Sequence, residues 1–321
     1  MKLSTLLLTS AALVVAGSAF AADLPAKKGA PAAKATGCSA FGAGFFQIPG
    51  GDNCIKFSGY VRSNTNYSDS SRSVVTSGDA RINFDVRSNT EMGALTGFTR
   101  LNYGGGAGTM DRARVQIGGL TAGKTDSFFD ISGSNGINFG SGLGSDSGTG
   151  IYYAMPMGGA TATVGAQNNG NGVDQDFVGG LKLPAGPATV NVVAASHKNA
   201  ANQGYAVAAA VSVPAGGATV NVYGGVSNGA GSYVGGGADN TGSSANDGTA
   251  VGITVLVPAG AGTLYFDGGQ TSTKTPAGTT RANSYGVGYD LALAKGLRLQ
   301  PEVFVVDGGS STAVLRISRD F

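Results

Sequence analysis

This 321-residue sequence predicts an all-β fold, a sixteen-stranded antiparallel transmembrane β-barrel, on three observations. From Ile55 to the end, apolar and polar residues alternate with a period of two, the spacing that sends successive side chains to opposite faces of a strand. The alternating runs number sixteen and are mostly about ten residues long, an even count joined in turn by tight turns and longer connections. Their polar face carries Arg, Asp, Asn and Ser, which a dry sandwich core would not accept unpaired but a water-filled barrel accommodates.

The chain opens on MKLSTLLLTSAALVVAGSAFA: one Lys, an apolar run, then the small-x-small sequence Ala19-Phe20-Ala21. This is the pattern of an export signal over residues 1–21, too short and too weakly flanked for an anchor. No later apolar run is long enough for a membrane-spanning helix, which needs about 18 residues. Residues 22–54 form a lead rich in Ala, Pro and Lys that contains the only two cysteines, Cys38 and Cys54. In an exported chain a disulfide closing that loop is the natural reading, and a metal site would need ligands that are not nearby.

The barrel is expected over residues 55–321. In IKFSGYVRSN, Ile55, Phe57, Gly59 and Val61 form the apolar face and Lys56, Ser58, Tyr60 and Arg62 the polar one. In ARINFDVRS, Ala80, Ile82, Phe84 and Val86 alternate with Arg81, Asn83, Asp85 and Arg87. The fifth run is read as 121–130, the sixth as 149–156 and the last as 311–321. A phrase made of a Pro/Gly turn and a following strand recurs as PAGGATVNVYGG from Pro214, PAGPATVNVVAA from Pro184, PAGAGTLYFDGG from Pro258 and PMGGATATVGAQ from Pro156. Its irregular spacing excludes a solenoid and suits hairpins whose tight turns share one rim. SNGAGSYVGGGADNTGSSANDG then reads as a long loop on the other. The small residues of YAVAAAVSV read as a lipid-side face packed on a partner subunit.

Only 12% of residues are charged and the net charge is +2, so no nucleic-acid surface is on offer. No cofactor motif, Walker loop or metal-ligand cluster is present. A hydrolase on the barrel wall is the enzymatic rival, prompted by Ser196 beside His197. Neighbours on a strand point to opposite faces and cannot act together, so catalysis is not expected, and His197 is placed at a strand end close to water. A barrel adhesin would need rungs of constant length, which are absent. A channel specific for one solute remains the nearer alternative.

The stretches CSAFGAGFFQIPGGDNCIKFSGYVR, ADLPAKK, RARVQIGGLTAGKTDSFFD and the C-terminal LRISRDF together resemble the alphaproteobacterial general porins. The resemblance covers both ends and the first five strands, while the middle matches in rhythm only. It implies a bacterial outer-membrane location, a homotrimer, passive diffusion of small hydrophilic solutes and ions, and a loop after the fifth strand that folds inward as a constriction. It also implies that Phe321 is read by the barrel-assembly machinery, although Arg319 stands where an apolar residue is usual.

Seven of the eleven Arg residues fall between Arg62 and Arg114. By alternation Arg62, Arg81, Arg100 and Arg114 face inward on four neighbouring strands, and closure adds Arg316 from the last. These form a basic wall. The segment from Ser127 onward carries Asp130 and Asp146 and could cross the lumen to face them, giving a transverse field and weak ion selectivity, which Asp239 and Asp247 near the mouth could offset.

Overall fold

The computed structural model describes residues 38–144, 147–168, 174–198, 203–235 and 246–321. The expected export signal and most of the lead lie outside the described residues. Residues up to Gly42 form a unit of their own, in which Cys38–Phe41 makes a short 3-10 turn. Neither cysteine is free; both are disulfide-bonded.

From Ala43 the chain is a second unit. A two-residue strand β1 (Phe46–Gln47) pairs with Cys54 and Ile55. Sixteen longer strands follow: β2 (Cys54–Ser68), β3 (Ser73–Thr90), β4 (Gly93–Gly104), β5 (Ala107–Ile117), β6 (Leu120–Asp126), β7 (Ser147–Met157), β8 (Ala160–Asn168), β9 (Gln175–Ala185) and β10 (Ala188–Lys198). The second half comprises β11 (Gln203–Ala215), β12 (Ala218–Asn228), β13 (Asp247–Ala259), β14 (Gly262–Thr275), β15 (Gly278–Ala294), β16 (Leu297–Val306) and β17 (Ser311–Asp320). Each expected run is present, though the fifth ends at Asp126 rather than at residue 130.

Consecutive strands pair antiparallel, and β17 returns to β2 from Thr312 opposite Ser68 to Asp320 opposite Tyr60, which closes the sheet. Closure leaves no edge of unpaired backbone, the condition for a strand-built wall in hydrocarbon. Phe321 finishes the seam: its N–H donates to the Gly59 carbonyl at 3.1 Å and its own oxygen accepts the Gly59 N–H at 2.9 Å. A Cβ at position 59 would stand 1.9 Å from the Arg81 carbonyl oxygen, so this seam requires glycine. Arg319 bends its guanidinium to the rim, where it donates to the carbonyls of Lys295 at 3.2 Å and Asp320 at 2.6 Å. A long basic side chain can thus stand on the outer face without placing its charge in lipid.

The Pro phrases lie at one rim, each ending a strand before a two-residue connection. In the turn after Pro214, Gly216 and Gly217 have φ of +58° and +87°, a left-handed conformation that only glycine adopts without strain. On the outer wall Val61, Val115, Ile151, Phe177, Val222 and Phe266 are exposed, as an apolar lipid face must be.

The opposite rim carries the two long connections, 127–146 and 229–246. Their described parts cover the inner face of β8–β13: Phe129, Leu143, Tyr233 and Val234 pack with Val178, Val193, Ala195, Ala206, Ala208 and Ala210 in one buried apolar cluster. Leu143 and Val234 bridge the two connections through backbone pairing. This corrects the reading of YAVAAAVSV as a face packed on a partner. Ala206, Ala208 and Ala210 point inward beneath the loops, while Tyr205, Val207 and Ala209 point outward and are exposed. The small side chains make room for folded-in chain. Ala208→Leu should therefore cost about 1–3 kcal/mol of stability through overpacking, and Ala209→Leu, one residue along, should cost little; thermal unfolding in detergent separates the two.

Candidate functional site

The inner face of β2–β5 and β17 is a charged wall. Register places Arg62 opposite Asp79, Tyr60 opposite Arg81, Asn83 opposite Arg100 and Arg100 opposite Arg112, so the guanidiniums stand on adjoining strands. Like charges this close repel unless counter-charges intervene. Arg62 Nε lies 2.5 Å from Asp79 Oδ1. Asn64 bridges the seam, accepting from Arg316 Nε at 2.6 Å and donating to Asp79 at 2.7 Å. Asp111 lies 3.6 Å from both Arg81 and Arg100 and 2.6 Å from Arg112. Asp126 lies 2.7 Å from Arg112, 3.8 Å from Arg100 and 4.0 Å from Arg114. Tyr60 stacks under Arg62 and Arg81, and Phe98 under Arg100 and Arg114, with guanidinium-to-ring distances of 4.4–5.6 Å.

The five arginines read from the sequence therefore do assemble on one face, each beside a carboxylate or amide of a neighbouring strand. Asp130 is exposed at the start of the loop, and Asp146 and Asp239 lie outside the described residues. The carboxylates that meet the wall belong to it: Asp79, Asp111 and Asp126. Counted back from the inward Arg114 and Arg112, strict alternation would turn Asp111 to lipid and Met110 inward, yet Met110 faces out opposite Leu101. A register shift between Arg100 and Leu101 inserts Asp111 as an extra residue and brings it inside. Arg112, buried and doubly paired, shares the face of Arg114 and belongs to the wall as well.

The facing wall holds the inward loop. Glu302 on β16 is 3% exposed and accepts three hydrogen bonds, from the backbone N–H groups of Ile137 and Asn138, the latter at 2.9 Å, and from the Tyr265 hydroxyl at 3.0 Å. Gln300 donates to the Asn135 carbonyl at 3.2 Å, and Phe139 meets Phe304 edge-on at 6.3 Å. The segment leaves β6 beside the arginines and is fastened to β16.

A second buried network holds the other connection. His197 is 1% exposed, its Nδ1 2.8 Å from Asp176 Oδ2, which corrects its placement close to water. Tyr233 donates to the same carboxylate at 2.5 Å and accepts from Gln167 Nε2 at 2.9 Å. Burial, reinforced by the Asp176 charge, pushes the Tyr233 phenol well above its ordinary range, so it stays protonated as a donor. Sequence spacing offers no sign of this cluster, because its members lie on β8, β9, β10 and a loop.

A sequence profile described as the porin subfamily matches residues 26–307. Porin Omp2b of Brucella abortus is 32% identical over 247 residues, 61% of this chain and 66% of that one. The chain spans between about half and two thirds of the length of the curated relatives it matches. Among solved structures, the outer membrane channel DcaP of Acinetobacter baumannii superposes with a TM-score of 0.72 at 14% identity, covering 86% of this chain and 99% of that one. The trimer form of OmpT, an outer membrane protein of Vibrio cholerae, gives 0.63 at 12% identity, covering 84% and 100%. At such identities the likeness is one of fold. The profile match, which runs through β1 to β16 and the connections between them, is one of descent: this chain belongs to the porin subfamily.

Proposed function

We propose that the protein is an outer-membrane channel for passive diffusion of small hydrophilic solutes and ions, exported by its first 21 residues and assembled as a homotrimer in the lipid. The observation that carries this reading is the pairing of two unlike inner walls. One is wet and cationic, with seven guanidiniums against four carboxylates among the described residues. The other is covered by chain held on Glu302. A passage between them is narrowed by the loop, and ordered water in its transverse field favours polar solutes. The surplus of positive charge gives a modest preference for anions.

Catalysis has no support in this arrangement, since the His197 imidazole is sealed inside the protein away from Ser196, whose side chain is on the outer wall. The trimer draws support from family membership and from the OmpT trimer of like fold. Phe321, at the seam with its ring exposed, is available to the barrel-assembly machinery before closure.

Planar-bilayer recording tests the reading. Stepwise conductance in groups of three, with liposome-swelling rates that fall smoothly as solute size grows, is expected. A refolded barrel that produces no steps would refute the channel, and single unequal steps would refute the trimer.

A further inference from the structure

Arg114 differs from the other wall arginines. Its guanidinium lies over the Phe98 ring, 4.4 Å from the centroid, and its Nη1 is shielded from solvent with no hydrogen-bond partner. Its one carboxylate neighbour, Asp126, is at 4.0 Å and is already held by Arg112 at 2.7 Å. Arg114 borders a recess of about 350 Å³ in the inner wall, lined also by Asp85, Arg87, Thr96, Phe98 and Gln116. Register sets these residues on a grid. Asp85, Phe98 and Arg114 stand in one row across β3, β4 and β5; Arg87, Thr96 and Gln116 stand in the next.

Arg87 spends Nε and Nη2 on Asp85, at 2.9 and 2.7 Å, which leaves Nη1 as a further donor. Two guanidiniums thus stand diagonally across the Thr96 hydroxyl, with the Gln116 amide beside it. Every group on that second row can donate a hydrogen bond. The only carboxylate in the recess is already neutralised by a fork-to-fork pair, so the remaining field is positive.

We propose that this recess is a docking subsite for a small oxyanion, a carboxylate or a phosphate, held by Arg114 with Arg87, Thr96 and Gln116. A planar guanidinium stacked on an aromatic ring is preorganised for two-point recognition of such a group, whereas chloride can use its charge but not its geometry. Oxyanionic solutes would then pause here in transit, and their flux would saturate where that of chloride does not. The inference rests on the channel reading and refines it from a general pore to one with a preferred solute class.

The test is conductance of the full chain in planar bilayers, in potassium chloride at fixed ionic strength, with potassium phosphate or potassium acetate added in separate arms. The added anion should reduce the chloride current saturably. Arg114→Gln should raise the half-blocking concentration about tenfold, the loss expected for a charge-assisted hydrogen bond. Arg114→Lys, which keeps charge but not the fork, should recover only part of it, and Thr96→Val should raise it a few-fold. Block by both anions supports a shared oxyanion site; block by phosphate alone or acetate alone narrows the class. Open chloride steps with no block, or block equal in the parent, Arg114→Gln and Thr96→Val proteins, would overturn the inference while leaving the channel intact. Absence of chloride steps altogether would instead overturn the channel, and the subsite with it.

Discussion

Replacing Glu302 by Ala should raise unit conductance and lower the unfolding temperature. The carboxylate is buried and serves three donors, two of them loop N–H groups. Its removal orphans both N–H groups at once. Hydrogen bonds to a buried charge are worth about 1.5–3 kcal/mol each, so the loss is large against the few contacts that fix this part of the loop. Residues 133–139 would then leave β16, while the cluster around Phe129 and Leu143 keeps the two ends of the loop packed. The passage widens where the loop had crossed it. Glu302→Gln gives a milder form, because the amide oxygen still accepts one loop N–H but the amide nitrogen opposes the other. Folding is checked by the heat-modified mobility that intact barrels show in detergent gels. A folded Glu302→Ala barrel with the parent's unit conductance would mean that this loop does not limit the passage.

The contrast between Glu302 and the strands around it shows what the sequence can convey. A strand announces itself, because burial on one face and solvent or lipid on the other write a period of two into ten consecutive residues, and all sixteen barrel strands were legible in that way. Closure was legible through the even count. The wall was legible because six arginines between Arg62 and Arg114 fall in neighbouring strands, most of them at positions of known parity. The loop's attachment was not, since Glu302 lies 165 residues from Ile137 and a single Glu in alternating sequence looks like any other inward polar residue. Asp111 was hidden for a different reason: a bulge breaks the parity on which every inward or outward assignment depends. The alanines of β11 misled because smallness alone does not say which side needs the space, lipid-facing partner or folded-in loop. His197 misled similarly, since a strand end next to a long connection is wet only if that connection stays out of the barrel.

The wall yields the second large effect, a reversal of ion preference that can be driven in either direction. In the parent the described wall carries seven guanidiniums against four carboxylates. Arg62→Ser, Arg81→Ser and Arg100→Ser together bring these numbers level, and they release Asp79 and Asp111 from most of their partners, so the mouth carboxylates and these two then dominate. A charge about 8 Å from a passing ion is worth on the order of 0.5 kcal/mol in water, so three such changes should move the cation-to-anion permeability ratio by roughly tenfold at low salt. Reversal potentials across a salt gradient read this directly. Asp111→Asn should push the other way, because it removes a negative charge shared by Arg81, Arg100 and Arg112 and leaves their repulsion unscreened; a stronger anion preference is expected, with some loss of thermal stability. Both shifts should fade as salt approaches 1 M, where the screening length is about 3 Å. Shifts of the same sign in the two variants, or shifts that survive high salt, would mean that the selectivity arises elsewhere than at this wall.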